Sequence, residues 1–143
     1  MARCPVVTGP AAEYVRSMEA AGALAIGLLS VVAMFQIALA LGAPLGKMAW
    51  GGGHTGVLPP RLRVASAAAA LLVYPLIIVV VFDASYSDGD LLPGNGPGAL
   101  WALTGLFALG ALANLASRST PERIWAPVSL AISICCGVVA FGV

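Results

Sequence analysis

The chain has 143 residues, 60% of them hydrophobic and only 9% charged, with a formal net charge of +1. Its mean hydropathy of +0.98 excludes a soluble domain, since such domains carry about 25% charged residues and a fold of this size has no way to bury so much apolar surface. The near-neutral charge balance excludes the basic footprint of a nucleic-acid-binding protein.

Four apolar stretches, at 20–43, 64–82, 99–117 and 124–143, contain no Asp, Glu, Lys, Arg or His. A hydrocarbon core about 30 Å thick needs about 20 helical residues, so each is long enough to cross it. The expected fold is all-α: one four-helix transmembrane domain over residues 1–143, with short connections. The first stretch follows a mixed-charge segment (Glu13, Arg16, Glu19) and is much longer than a signal peptide's apolar core of about 7–15 residues. It reads as a retained first span. Within it, Ala23 and Gly27 lie four apart and suggest a helix contact face.

The first connection, 41–60, is the richest segment, with six glycines, three prolines, Trp50 and the chain's one histidine, His54. Its low charge predicts a tight interfacial connector packed under the bundle, and Gly51–Gly53 permit positive φ and close backbone approach. The glycine run lacks the Lys-Ser/Thr that completes a phosphate-binding loop. His54 has no Cys, carboxylate or second His beside it, so the sequence offers no metal site. Lys47, Arg61 and Arg63 suit anionic lipid headgroups.

The second span opens with Ser66 and runs through Ala67–Ala70 to Pro75, where a kink is expected. The second connection, taken from Asp83 to Gly98, is rich in Ser, Asp, Gly, Pro and Asn and reads as an irregular solvent loop. Trp101 opens the third span. Ahead of the fourth, Thr120 suits an N-cap, Pro121 the first turn and Glu122 the positive end of the helix dipole. Pro127 is a second expected kink. Ser129, Ser133 and Gly137 form a small-residue stripe, extended by Ala126 and Ala140. Cys4 stands alone, and Cys135 and Cys136 are adjacent on a helix and poorly placed to bridge. They read as small packing residues.

Connections 44–63 and 118–123 hold five of the seven basic residues: Lys47, Arg61, Arg63, Arg118 and Arg123. The positive-inside rule places them in the cytoplasm and both termini outside. Trp50, Trp101 and Trp125, with Arg61, Arg63 and Arg123, are the expected interface anchors. On this orientation Gln36, Asn114, Ser66 and Ser129 all lie toward the cytoplasmic ends of their helices, while the outer half is barer, with Thr104, Tyr74 and the two cysteines. With His54 they are the candidates for a shallow polar pocket open to the cytoplasm; mutual satisfaction of their hydrogen bonds is the plainer alternative.

The segments Gly42-Ala43-Pro44-Leu45-Gly46, Trp50-Gly51-Gly52, Leu58-Pro59, Arg63 and Ser66, together with Asn114-Leu115-Ala116-Ser117-Arg118-Ser119, Glu122-Arg123 and Trp125-Ala126-Pro127, resemble small uncharacterised four-span membrane proteins of bacteria, particularly actinobacteria. The resemblance covers most of the chain. It implies a four-helix protein of the bacterial inner membrane and carries over no activity or functional residue.

Three functions compete. A non-enzymatic bundle that binds lipid, another membrane protein or its own copies is favoured. A small transporter or channel is second: no span holds the ionisable group that marks coupled transport, which argues less strongly against an uncoupled pore. A membrane enzyme is third, because paired carboxylates, a His cluster or an activated nucleophile are missing from the sequence. No cofactor is expected.

Overall fold

The computed structural model describes residues 9–87, 91–92 and 96–142. It is an all-α bundle of four helices, each long and apolar enough to cross a membrane: α1 (Pro10–Leu41), α2 (Pro60–Tyr86), α3 (Pro97–Ala116) and α4 (Thr120–Ala140). Every helix has proline in its first two positions, where the missing N–H breaks no intrahelical bond. Cys4, Asp88 and Asp90 lie outside the described residues.

The spans predicted from the sequence are present, with three boundaries moved by charged residues. The helix of α1 starts ten residues before the apolar stretch and takes in Glu13, Arg16 and Glu19. At 32 residues it is about 48 Å long, so its charged first turns project beyond a 30 Å hydrocarbon layer. α2 begins at Pro60, ahead of Arg61 and Arg63, whose long stems let the charged heads reach the interface. It also runs on to Tyr86, so Asp83 belongs to the helix and not to the second connection. Asp83 is fully buried, and its Oδ1 accepts the Leu91 N–H at 2.9 Å.

The two expected kinks resolve differently. Ahead of Pro75, residues Ala69–Val73 form a widened π turn, and the Tyr74 N–H bonds the Ala69 carbonyl five residues back. The wider turn makes room where proline removes a donor. Pro127 falls in the first turn of the α-helical part of α4, just past a 3-10 segment at Thr120–Ile124. It marks the change of helix type rather than a mid-helix break.

α1 lies between α2 and α4, and α3 packs chiefly on α4. The α3–α4 seam is the small-residue stripe: Ser133 donates to the Thr104 carbonyl at 2.8 Å, a Cβ on Gly137 would sit 3.7 Å from Thr104, and one on Gly110 would sit 3.8 Å from Ser129. The stripe expected on α1 is displaced. Ala23 and Gly27 are exposed, and the packed face runs through Gly22, Ala25 and Leu29. Periodicity alone chose the wrong side because α1 is apolar all round.

The two connections at one end, 42–59 and 117–119, touch each other, and at the other the start of α1 and the end of α4 meet each other and the adjoining ends of α2 and α3. At the latter end Tyr14 donates to the Phe141 carbonyl at 2.7 Å, Tyr86 donates to the Glu19 carbonyl at 2.6 Å, and Trp101 meets Phe141 edge to face at 4.8 Å. The main core occupies the termini half: Leu29, Val81, Leu100, Ile132, Cys136 and Val139 are each no more than 1% exposed. A small second core of Leu39, Ala49 and Leu58 lies at the loop end.

Candidate functional site

Between these two cores is a cavity of about 220 Å³, walled by all four helices and by the first connection. The fold opens it there because the connection turns back under the bundle. Gly42 ends α1 in the left-handed conformation, Arg63 Nε donates to the Ala40 carbonyl at the end of the same helix, and Gly46 N–H bonds the Gly56 carbonyl at 2.9 Å. Two short 3-10 turns, Gly46–Met48 and Trp50–Gly52, then carry the chain beneath α4. Trp50, Gly51 and Gly52 all have positive φ (55°, 80° and 67°). Gly52 must be glycine for a second reason: a Cβ there would lie 2.1 Å from that of Ser119.

Of the pocket residues predicted from the sequence, Gln36, Asn114 and Ser129 line this cavity. Asn114 Nδ2 approaches Ser129 Oγ at 3.4 Å, a long contact. Gln36 lies within side-chain hydrogen-bonding reach of Tyr74, and its Oε1 is buried without a partner. Ser66 is fully buried one layer behind the wall, where it accepts the Trp50 indole N–H at 3.1 Å. His54 is not among the lining residues; the far strand of the connection holds it near Gly46.

Three wall residues escaped the sequence reading. Tyr74, expected in the bare outer half, lines the cavity beside Gln36. Trp125, expected as an interface anchor, also packs its ring against Phe35, tilted with centroids 4.5 Å apart, and its Nε1 donates to the Met48 carbonyl at 2.9 Å. Glu122, read as a residue suited to a helix dipole, is only 6% exposed. Its Oε1 accepts the Gly51 N–H at 2.8 Å and its Oε2 accepts the Ser117 hydroxyl. A Glu placed three residues before an anchor Trp, opposite a nearly charge-free loop, is the available signal.

Trp101 is 43% exposed at the termini end. Arg61 and Arg123 are exposed at the loop end, with Arg123 Nε on the Ser117 carbonyl at 3.0 Å. Glu122 also borders a second recess of about 300 Å³ that contains Arg118. Cys135 and Cys136 are buried free thiols in the packed half, and among the described residues no group of three or more His, Cys, Asp or Glu is placed to hold a metal.

Comparison of the chain with protein-family models, with curated proteins and with solved structures gives no match.

Proposed function

We propose that this chain is a non-enzymatic binding protein of the bacterial cytoplasmic membrane, holding a small ligand in the cavity at its loop end. The observation that carries the reading is the cavity itself: four helices and a folded-back connection surround a space whose wall includes a buried acceptor, Gln36 Oε1, with no partner. Leaving such an atom unpaired costs about 1–3 kcal/mol, so a ligand that donates a hydrogen bond there gains what the free protein forgoes. Membrane lipid is the expected source or neighbour of that ligand, ahead of a second copy or another membrane protein. Five basic residues at the loop end support a cytoplasmic position for the cavity mouth.

An uncoupled transporter using the same cavity is disfavoured by the closed termini half. Passage would require Leu29, Val81, Leu100, Ile132 and Val139 to part, and these are among the least exposed side chains in the bundle.

The test is native mass spectrometry of the purified chain alongside Gln36→Leu. A bound small molecule or lipid on the parent, lost from a variant of equal thermal stability, is the expected result. Equal occupancy in both would remove Gln36 from the site. Solute flux through proteoliposomes carrying the parent would favour the transporter.

A further inference from the structure

We propose that the cavity selects an organic ammonium cation, with Glu122 as counter-ion and Phe35, Trp50, Tyr74, Phe107 and Trp125 as its aromatic walls. The proposal rests on the binding reading above and names the ligand class. Half of the chain's aromatic residues, drawn from three Trp, three Tyr and four Phe, converge on this one small space. The negative face of an aromatic ring attracts a cation within about 6 Å, and alkylated ammonium groups are the ligands that such walls hold.

The polar atoms have the same bias. Glu122 is nearly buried, and its carboxylate is compensated only by two neutral donors. Among the described residues no basic side chain forms an ion pair with it. Arg63 is held by the Ala40 carbonyl, Arg123 by the Ser117 carbonyl, and Arg118 is an exposed residue of the neighbouring recess. A buried charge without a counter-charge is costly. Three of the donors around the cavity are engaged: Trp50 Nε1 by Ser66, Trp125 Nε1 by Met48 and Asn114 Nδ2, at longer range, by Ser129. Gln36 Oε1 adds an unused acceptor. The cavity therefore combines a nearly buried carboxylate, an open acceptor and aromatic walls, a set that suits a cation bearing a hydroxyl or N–H. Its 220 Å³ lies below the roughly 300–1,000 Å³ of sites for drug-sized ligands, so the cationic group itself, free or as a lipid headgroup, is what fits.

The experiment uses the full chain carrying Trp101→Phe in dodecylmaltoside, so that fluorescence reports only Trp50 and Trp125. Choline and its neutral carbon isostere, 3,3-dimethylbutan-1-ol, are titrated separately. The expected result is a saturable change with choline and binding of the isostere weaker by about tenfold or more. Glu122→Gln should weaken choline by about tenfold and leave the isostere unchanged. If Glu122→Gln does not fold, Phe35→Leu carries the test and should weaken choline more than the isostere. Native mass spectra with lysophosphatidylcholine and lysophosphatidylglycerol separate the sources: retention of the choline lipid alone, without free choline binding, assigns the headgroup. Equal affinity for choline and isostere overturns the cation and leaves the binding reading standing. No choline binding together with equal retention of the two lipids overturns the cation as well, while the Gln36→Leu comparison separately decides whether the cavity binds anything.

Discussion

Trp50 donates its indole N–H to the Oγ of Ser66 at 3.1 Å, tying a residue with left-handed backbone (φ 55°) to a fully buried hydroxyl on α2. A bulky residue rarely adopts that conformation, which costs about 1–2 kcal/mol. The bond and the packing around it offset that cost, and the first connection stays folded under the bundle instead of lying loose on the membrane surface. Trp50→Phe keeps an aromatic ring, though a smaller one, and removes the donor, leaving Ser66 Oγ buried without this partner. Thermal unfolding in detergent should show a loss of about 1–3 kcal/mol. In a double-mutant cycle with Ser66→Ala the coupling should be about 0.6–2 kcal/mol. Additive losses would mean that the bond contributes nothing.

Glu122 performs the corresponding task from the first turn of α4. It accepts from Gly51 in the first connection and from Ser117 at the end of α3, so one carboxylate joins three segments. Hydrogen bonds to a charged group contribute about 1.5–3 kcal/mol each. Glu122→Ala should therefore destabilise the bundle clearly and speed proteolysis within 46–58, while Glu122→Gln, which keeps an acceptor for Gly51, should cost less than half as much. Equal losses for the two variants would show that side-chain volume, not hydrogen bonding, holds the connections together.

The contrast between these residues and the helices shows what sequence reading can reach. The four spans were legible because bilayer thickness and charge exclusion act on each segment separately. So was the gathering of Gln36, Asn114 and Ser129 at one depth, because position along a helix converts directly to distance. The roles of Glu122, Trp125 and Tyr74 were not legible. Each depends on a partner far along the chain: Gly51 for Glu122, Met48 and Phe35 for Trp125, Gln36 for Tyr74. The rotation of α1 was also hidden, since an all-round apolar helix carries no moment to say which face meets protein and which meets lipid.

That rotation yields a paired prediction. A Cβ on Gly22 would lie 2.6 Å from the Ser85 Cβ and 2.3 Å from its Oγ, whereas one on Gly27 would meet nothing within 4 Å. Gly22→Ala should push α1 and α2 apart and cost about 1–3 kcal/mol, with partial recovery on Ser85→Gly. Gly27→Ala should leave stability unchanged or raise it, because alanine is the better helix former. Thermal melts of the four proteins in one detergent decide the matter. The opposite ranking of the two alanine variants would place the contact face on the Ala23–Gly27 side after all.

The bundle ties the orientation of all four helices to a single measurement. Tyr14 bonds the Phe141 carbonyl, so the start of α1 and the end of α4 share one end, and the packed connections share the other. The loop end holds Lys47, Arg61, Arg63, Arg118 and Arg123, while Arg16, offset by Glu13 and Glu19, is the basic residue in the described part of the termini end. Short connections with excess Lys and Arg stay in the cytoplasm. A fluorescent reporter that matures only in the cytoplasm should be dark when fused after residue 143 and bright when inserted in the 53–57 segment of the first connection. Moving charge should move the protein: replacing Arg61, Arg118 and Arg123 by Gln, none of which lines the main cavity, should brighten the C-terminal fusion. Bright C-terminal fusions of the parent chain would reverse the orientation and place the Glu122 cavity on the far side of the membrane.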